Sequence, residues 1–158
     1  MKLKVYPRGY GRDVYRIIQV PNSFSLDELC DGILDAFNFD HDHLFEFILA
    51  GMRILCSRAA DDFWDEEEMR TTDEISLDDF NFYKGAKFLL HYDFGDDWYF
   101  VINVMNPEED EKKSKWIKVI KEKGKLKQYQ SWDDDDETDN DDDADDENDE
   151  NDETSDDD

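Results

Sequence analysis

Of the last 26 residues, 133–158, 19 are Asp or Glu and none is Lys or Arg. A segment of that composition repels itself and has almost no apolar group to bury, so nothing repays the entropy of ordering it. Any fold must therefore be built from residues 1–132, which hold only −8 of the formal charge of −27. This division predicts a single α+β domain over residues 1–130 and a disordered, acidic, low-complexity tail over 131–158. An aromatic content of 14% supplies enough bulk for one core in a chain of 158 residues. The overall sign argues against nonspecific binding to nucleic acid or to anionic membranes.

Local patterns place the elements. Leu3–Tyr6 reads as a short strand ended by Pro7, and Asp13–Val20 as a second, stopped by Pro21. Ser25-Leu-Asp-Glu28 has the spacing of a capping box. Behind it, Leu26, Leu29, Cys30, Ile33, Leu34 and Phe37 form one stripe of a 3.6-residue period, which predicts a helix over 26–37. Alternation predicts strands at Phe45–Leu49 and Met52–Leu55, meeting across Gly51. Residues 57–74 read as a mobile acidic loop pinned by Phe63 and Trp64, and Ser76–Asp79 as a weaker helix start. Lys87–Asp93 and Trp98–Met105 then form a hairpin, with Phe88, Leu90 and Tyr92 on one face, and Trp98, Phe100, Ile102 and Val104 likewise sharing one. Trp116–Ile120 adds a last strand. Runs of strands with few helices favour a largely antiparallel sheet with the 26–37 helix packed on one face.

The chemistry-bearing residues give few specific signals. Cys30 and Cys56 lack any zinc-like spacing, and the expected role of both is a buried thiol. No flanking group marks either as a nucleophile, and no GxSxG elbow or glycine-rich phosphate loop occurs. Asp93-Phe-Gly95 is taken as a turn, with Gly95 supplying a backbone angle that other residues resist. His41, His43 and His91, with Glu46, Asp93, Asp96 and Asp97, offer nitrogen and oxygen donors. A metal-assisted hydrolase or nuclease would draw on His43, Glu46, Asp96 and Asp97. A second candidate is a strip of eight lysines, Lys112, Lys113, Lys115, Lys118, Lys121, Lys123, Lys125 and Lys127, with Glu122 the one acid among them. It suits an anionic ligand, with nucleic acid as a partner only when the acidic tail is displaced. Nothing resembling a signal peptide or a membrane span occurs, so a cytoplasmic location without membrane attachment is expected.

Tyr15-Arg-Ile-Ile-Gln-Val-Pro21, Ser25-Leu-Asp-Glu-Leu29, His43-Leu-Phe-Glu-Phe47 and Tyr92-Asp-Phe-Gly-Asp-Asp-Trp98, in that order, resemble the plasmid pRiA4b ORF-3-like family. The similarity runs from about residue 13 to about residue 130, and Tyr92–Trp98 is its most specific motif. Members of that family are mostly of unknown function, and some are labelled resolvase-like. Many show His-Leu-His-Glu-Phe where this chain has Phe45, so one candidate imidazole is absent here, and many carry an arginine where Ile17 stands. No recombinase nucleophile motif or helix-turn-helix accompanies the resemblance. Three hypotheses follow: a noncatalytic module that binds a protein or other macromolecule, with no cofactor; the metal-assisted enzyme; and a nucleic-acid-associated protein whose lysine strip the tail masks.

Overall fold

A computed structural model describes residues 1–63, 70–108 and 117–128. The acidic tail, Trp64, Trp116 and Lys112, Lys113 and Lys115 of the lysine strip lie outside these residues. Residues Met1–Leu126 form one compact unit.

The helix α1 spans Leu26–Phe37, the bounds its stripe predicts. The Ser25 hydroxyl accepts the Glu28 N–H at 3.1 Å while the Glu28 carboxylate accepts the Ser25 N–H at 2.9 Å, so the box closes in both directions. At the other end Asn38 adopts a left-handed conformation (φ 61°) and its N–H reaches back to the last turn.

Seven strands pair antiparallel in the order β4-β3-β5-β6-β1-β2-β7. They are β1 Lys2–Pro7, β2 Tyr15–Gln19, β3 Phe45–Leu49, β4 Met52–Leu55, β5 Lys87–Tyr92, β6 Trp98–Asn106 and β7 Lys118–Lys123. The first strand in sequence therefore lies inside the sheet, paired with β6 through Leu3 and Val104 and with β2 through Leu3 and Ile18. The β3–β4 turn is made by Ala50 (φ 53°) and Gly51 (φ 79°), two consecutive left-handed residues of the kind that match strand twist.

All six stripe residues of α1 are buried, against Leu3, Val5, Ile18, Phe47, Leu90, Phe100, Ile102 and Val104 on one face of the sheet. Phe37 packs on Phe100 with ring centroids 5.1 Å apart, and Phe39 meets Trp98 edge-on at 4.9 Å. Phe88, Leu90 and Tyr92 all lie on this side, as do Phe100, Ile102 and Val104. The helix comes close to the chain entering β7 at Gly32, where a Cβ would meet the Ile117 side chain at 1.7 Å.

Three expectations are corrected. Residues 57–74 are not simply a loop: a short helix α2 covers Ser57–Phe63 and a 3₁₀ turn covers Thr72–Glu74, with Thr71 and Thr72 buried. The buried Thr72 hydroxyl donates to the Asp27 carboxylate of α1, which supplies the tertiary reason for order in a sequence of weak propensity. Ser76–Asp79 opens one 3₁₀ turn, not a helix. Gly95 does not take the left-handed angle; Asp93 (φ 70°) and Asp97 (φ 58°) do, on either side of it. Asp tolerates that region because its short side chain bonds local amides, and the Asp93 carboxylate accepts the Gly95 N–H at 3.1 Å.

Candidate functional site

Because side chains alternate along a strand, the face of the sheet away from α1 is defined by the register. It displays Lys2, Lys4 and Tyr6 from β1, Arg53 from β4, Glu46 and Ile48 from β3, and Lys87, Leu89 and His91 from β5. From β6 come Tyr99, Val101, Asn103 and Met105, from β2 Tyr15, Ile17 and Gln19, and from β7 Lys118, Lys121 and Lys123. Among the described residues, α2 packs at one corner of this face, where Ala59 meets Leu55 and Cys56.

Three parallel rows cross this face. One is apolar: Ile48, Leu89, Val101 and Tyr6 stand opposite one another on β3, β5, β6 and β1, each half-buried. Two residues along, Lys87, Asn103, Lys4, Ile17 and Lys121 form a second row, which places a lysine on every other strand. On the other side Glu46, His91 and Tyr99 form the third.

That third row is tightly bonded. His91 Nδ1 lies 2.7 Å from a Glu46 carboxylate oxygen and Nε2 lies 2.6 Å from Asp97 Oδ1. A neutral imidazole has one N–H, so two such contacts require either the doubly protonated ring or a proton on one of the carboxylates. The other Glu46 oxygen accepts Arg53 Nε at 2.5 Å. Tyr99 stacks on His91 at 4.3 Å, Phe94 covers it at 4.9 Å, and the Arg8 guanidinium sits 4.0 Å above the Tyr99 ring. With both nitrogens engaged and the ring covered, His91 ties the 93–97 turn to β3.

The four residues considered for a metal are thus divided. Glu46 and Asp97 meet, but on opposite nitrogens of His91; His43 Nε2 faces Asp93 at 3.6 Å; Asp96 lies exposed in the turn. Among the described residues no three His, Cys, Asp or Glu groups are arranged to hold a metal ion. His41 bonds Asp31 and Asp35 of α1, away from the others. Tyr92, from the most specific motif, is buried and donates its hydroxyl to the Asp40 carbonyl while accepting the His43 N–H at 3.2 Å.

Of the lysine strip, Lys118, Lys121 and Lys123 lie on β7, while Lys125 and Lys127 follow it. Sequence reasoning missed that the strip is one edge of a wider basic face. Its signal was present in Lys2-Leu-Lys-Val5, where the lysines alternate with residues that enter the core.

On the opposite, helix-bearing side, Arg16 is buried beneath α1. Its Nε donates to the Ala36 carbonyl at 2.9 Å, and one terminal nitrogen donates to the Tyr15 and Lys123 carbonyls. Burial pushes the guanidinium pKa down and the exposed Glu122 carboxylate opposes that. Burial also holds the Cys30 thiol well above its ordinary value, with Asp31 and Asp27 adding to it.

The sequence profile of the plasmid pRiA4b ORF-3-like proteins matches residues 1–129. The chain belongs to the plasmid pRiA4b ORF-3-like family. No curated protein matches it. Among solved structures, a protein of unknown function from Methanosarcina mazei Go1 is similar at 22% identity with a TM-score of 0.54. The match covers 76% of this chain and 61% of that one, and it establishes likeness of fold. No helix among the described residues is long and apolar enough to cross a membrane.

Proposed function

We propose that this member of the plasmid pRiA4b ORF-3-like family is a noncatalytic module that binds an anionic macromolecular partner across the sheet face opposite α1. The observation that carries the reading is the separation of charge between the two sides of the domain. The strands turn Lys2, Lys4, Arg53, Lys87, Lys118, Lys121 and Lys123 to that face, and their one acid there, Glu46, is buried between Arg53 and His91. Asp27, Glu28, Asp31 and Asp35 occupy the outer side of α1.

Lysines on an edge strand also serve to block edge-to-edge aggregation, which accounts for those of β7. It does not account for Lys4 and Lys87, whose strands lie inside the sheet. An interior position that could hold any polar residue, repeatedly filled by one sign of charge in a chain of net −27, supports recognition of a partner.

The test is affinity capture from native lysate with the full chain and with a Lys4→Glu/Lys121→Glu variant, each checked for folding by circular dichroism. The expected result is a partner retained by the parent chain and lost from the variant. Capture of the same set of proteins and nucleic acids by both would remove the basis for the reading.

A further inference from the structure

We infer that the partner presents an acidic amphipathic helix, which lies across the strands with its apolar side on the Ile48–Leu89–Val101–Tyr6 row and its acidic flank on the Lys87–Lys4–Lys121 row. The inference rests on the binding role proposed above and names the partner's chemistry.

The apolar row spans four adjacent strands, about 14 Å, which is the length of roughly ten helical residues. The lysine row runs parallel to it two residues further along each strand, roughly 7 Å away. A helix about 10 Å across covers both rows at once, with leucine-like residues on one and carboxylates on the other. An extended segment laid flat on the face would leave its backbone amides and carbonyls unpaired, whereas a helix satisfies its own.

Charge alone would equally suit a nucleic acid; the apolar row beside the lysines favours an amphipathic partner, and the aromatic residues argue against a single strand held by base stacking. Base stacking needs an open ring face. Tyr99 has His91 on one face and Arg8 on the other. Tyr15 is buried with Lys4 4.6 Å from its centroid, and Tyr6 lies against Gly11, where a Cβ would touch the ring at 2.9 Å. Among the described residues this face thus offers half-buried aliphatic contact beside positive charge, and the rings of Tyr99 and Tyr15 are already covered. The chain's net negative charge does not prevent an acidic partner from docking, because at physiological ionic strength charges beyond about 8 Å are largely screened and the nearby lysines dominate.

The test uses the full chain and a fluorescein-labelled amphipathic peptide of about fourteen residues, with leucines at helical spacing on one side and glutamates flanking them. Anisotropy titrations compare it with the same peptide flanked by lysines and with a single-stranded oligothymidine. The expected result is binding of the glutamate-flanked peptide, weakened on the order of tenfold by Lys4→Glu/Lys87→Glu and by raised salt, and unchanged by Asp78→Lys on the other side. If the double reversal perturbs folding, Lys4→Gln/Lys87→Gln gives the same comparison with a smaller effect. Absence of binding, insensitivity to both lysine variants, equal binding of the lysine-flanked peptide, or a preference for the oligonucleotide would each overturn the inference. Loss of the cellular partner from Lys4→Glu/Lys121→Glu, together with any of those four results, would overturn the helix and leave the broader binding role standing.

Discussion

At the scale of single residues, buried polar groups do the most work in this domain. Arg16 donates to three carbonyls, one of them at the C-terminal end of α1, and its guanidinium lies 4.6 Å from the Phe37 ring. Arg16→Met keeps the stem but removes those three charge-assisted bonds, so it should cost about 2–4 kcal/mol in urea denaturation. A loss under about half a kcal/mol would mean that water replaces the guanidinium freely. Asp27 makes a prediction about pH: burial raises its carboxyl pKa, and the Thr72 hydroxyl, which favours the charged form, only partly offsets this. A carboxyl raised on folding stabilises the native state below its unfolded pKa, about 3.9, and that contribution is lost as pH rises through the higher folded value. The stability of the parent chain relative to Asp27→Asn should therefore fall as pH rises above about 4. A difference that stays flat or grows with pH would contradict the assignment.

At the scale of elements, legibility in the sequence followed the range of the interactions. The bounds of α1 could be read because its cap, stripe and terminal Asn38 are all local, and the 87–106 hairpin because its two strands adjoin. Leu29 and Ile33 are both fully buried on the sheet, so Leu29→Ala or Ile33→Ala should each cost about 2–5 kcal/mol. If both cost less than about half a kcal/mol in chemical denaturation, the packing of α1 is misassigned. The order around Thr72 was not legible, since it comes from a bond to Asp27 that is 45 residues away in sequence. The same holds for the candidate site. Glu46, His91 and Asp97 could be named as polar donors, but the hub at His91 depends on register between β3 and β5. Likewise the lysines of β1 and β5 become one row only through β6. His91→Phe removes both hydrogen bonds while keeping a ring against Tyr99. It should speed hydrogen exchange in residues 93–97 while α1 amides keep their protection. Unchanged exchange in that turn would show that the clamp is dispensable.

At the scale of the whole domain, the strand order sets when folding can occur. Because β1 is inserted between β6 and β2, the sheet cannot close until a strand near the start of the chain meets one about a hundred residues later, as Leu3 meets Val104. Without β6, no strand pairing among the described residues joins the β1–β2 pair to the β3–β4–β5 group, and α1 has two half-sheets rather than one surface to cover. Closing so long a loop costs conformational entropy before any long-range contact repays it. Refolding monitored by Trp and Tyr fluorescence in stopped flow should therefore fall in the millisecond-to-second range of nonlocal β topologies, not the microsecond range of helical bundles. Val104→Ala empties a fully buried site in the β1–β6 interface, whereas Cys30→Ala trims α1 at a comparably buried one. If the β1–β6 pairing forms the nucleus, Val104→Ala should slow folding in proportion to its loss of stability, and Cys30→Ala should act mainly on unfolding. The reverse pattern would place nucleation in the local contacts of α1 and leave the central pairing to form afterwards.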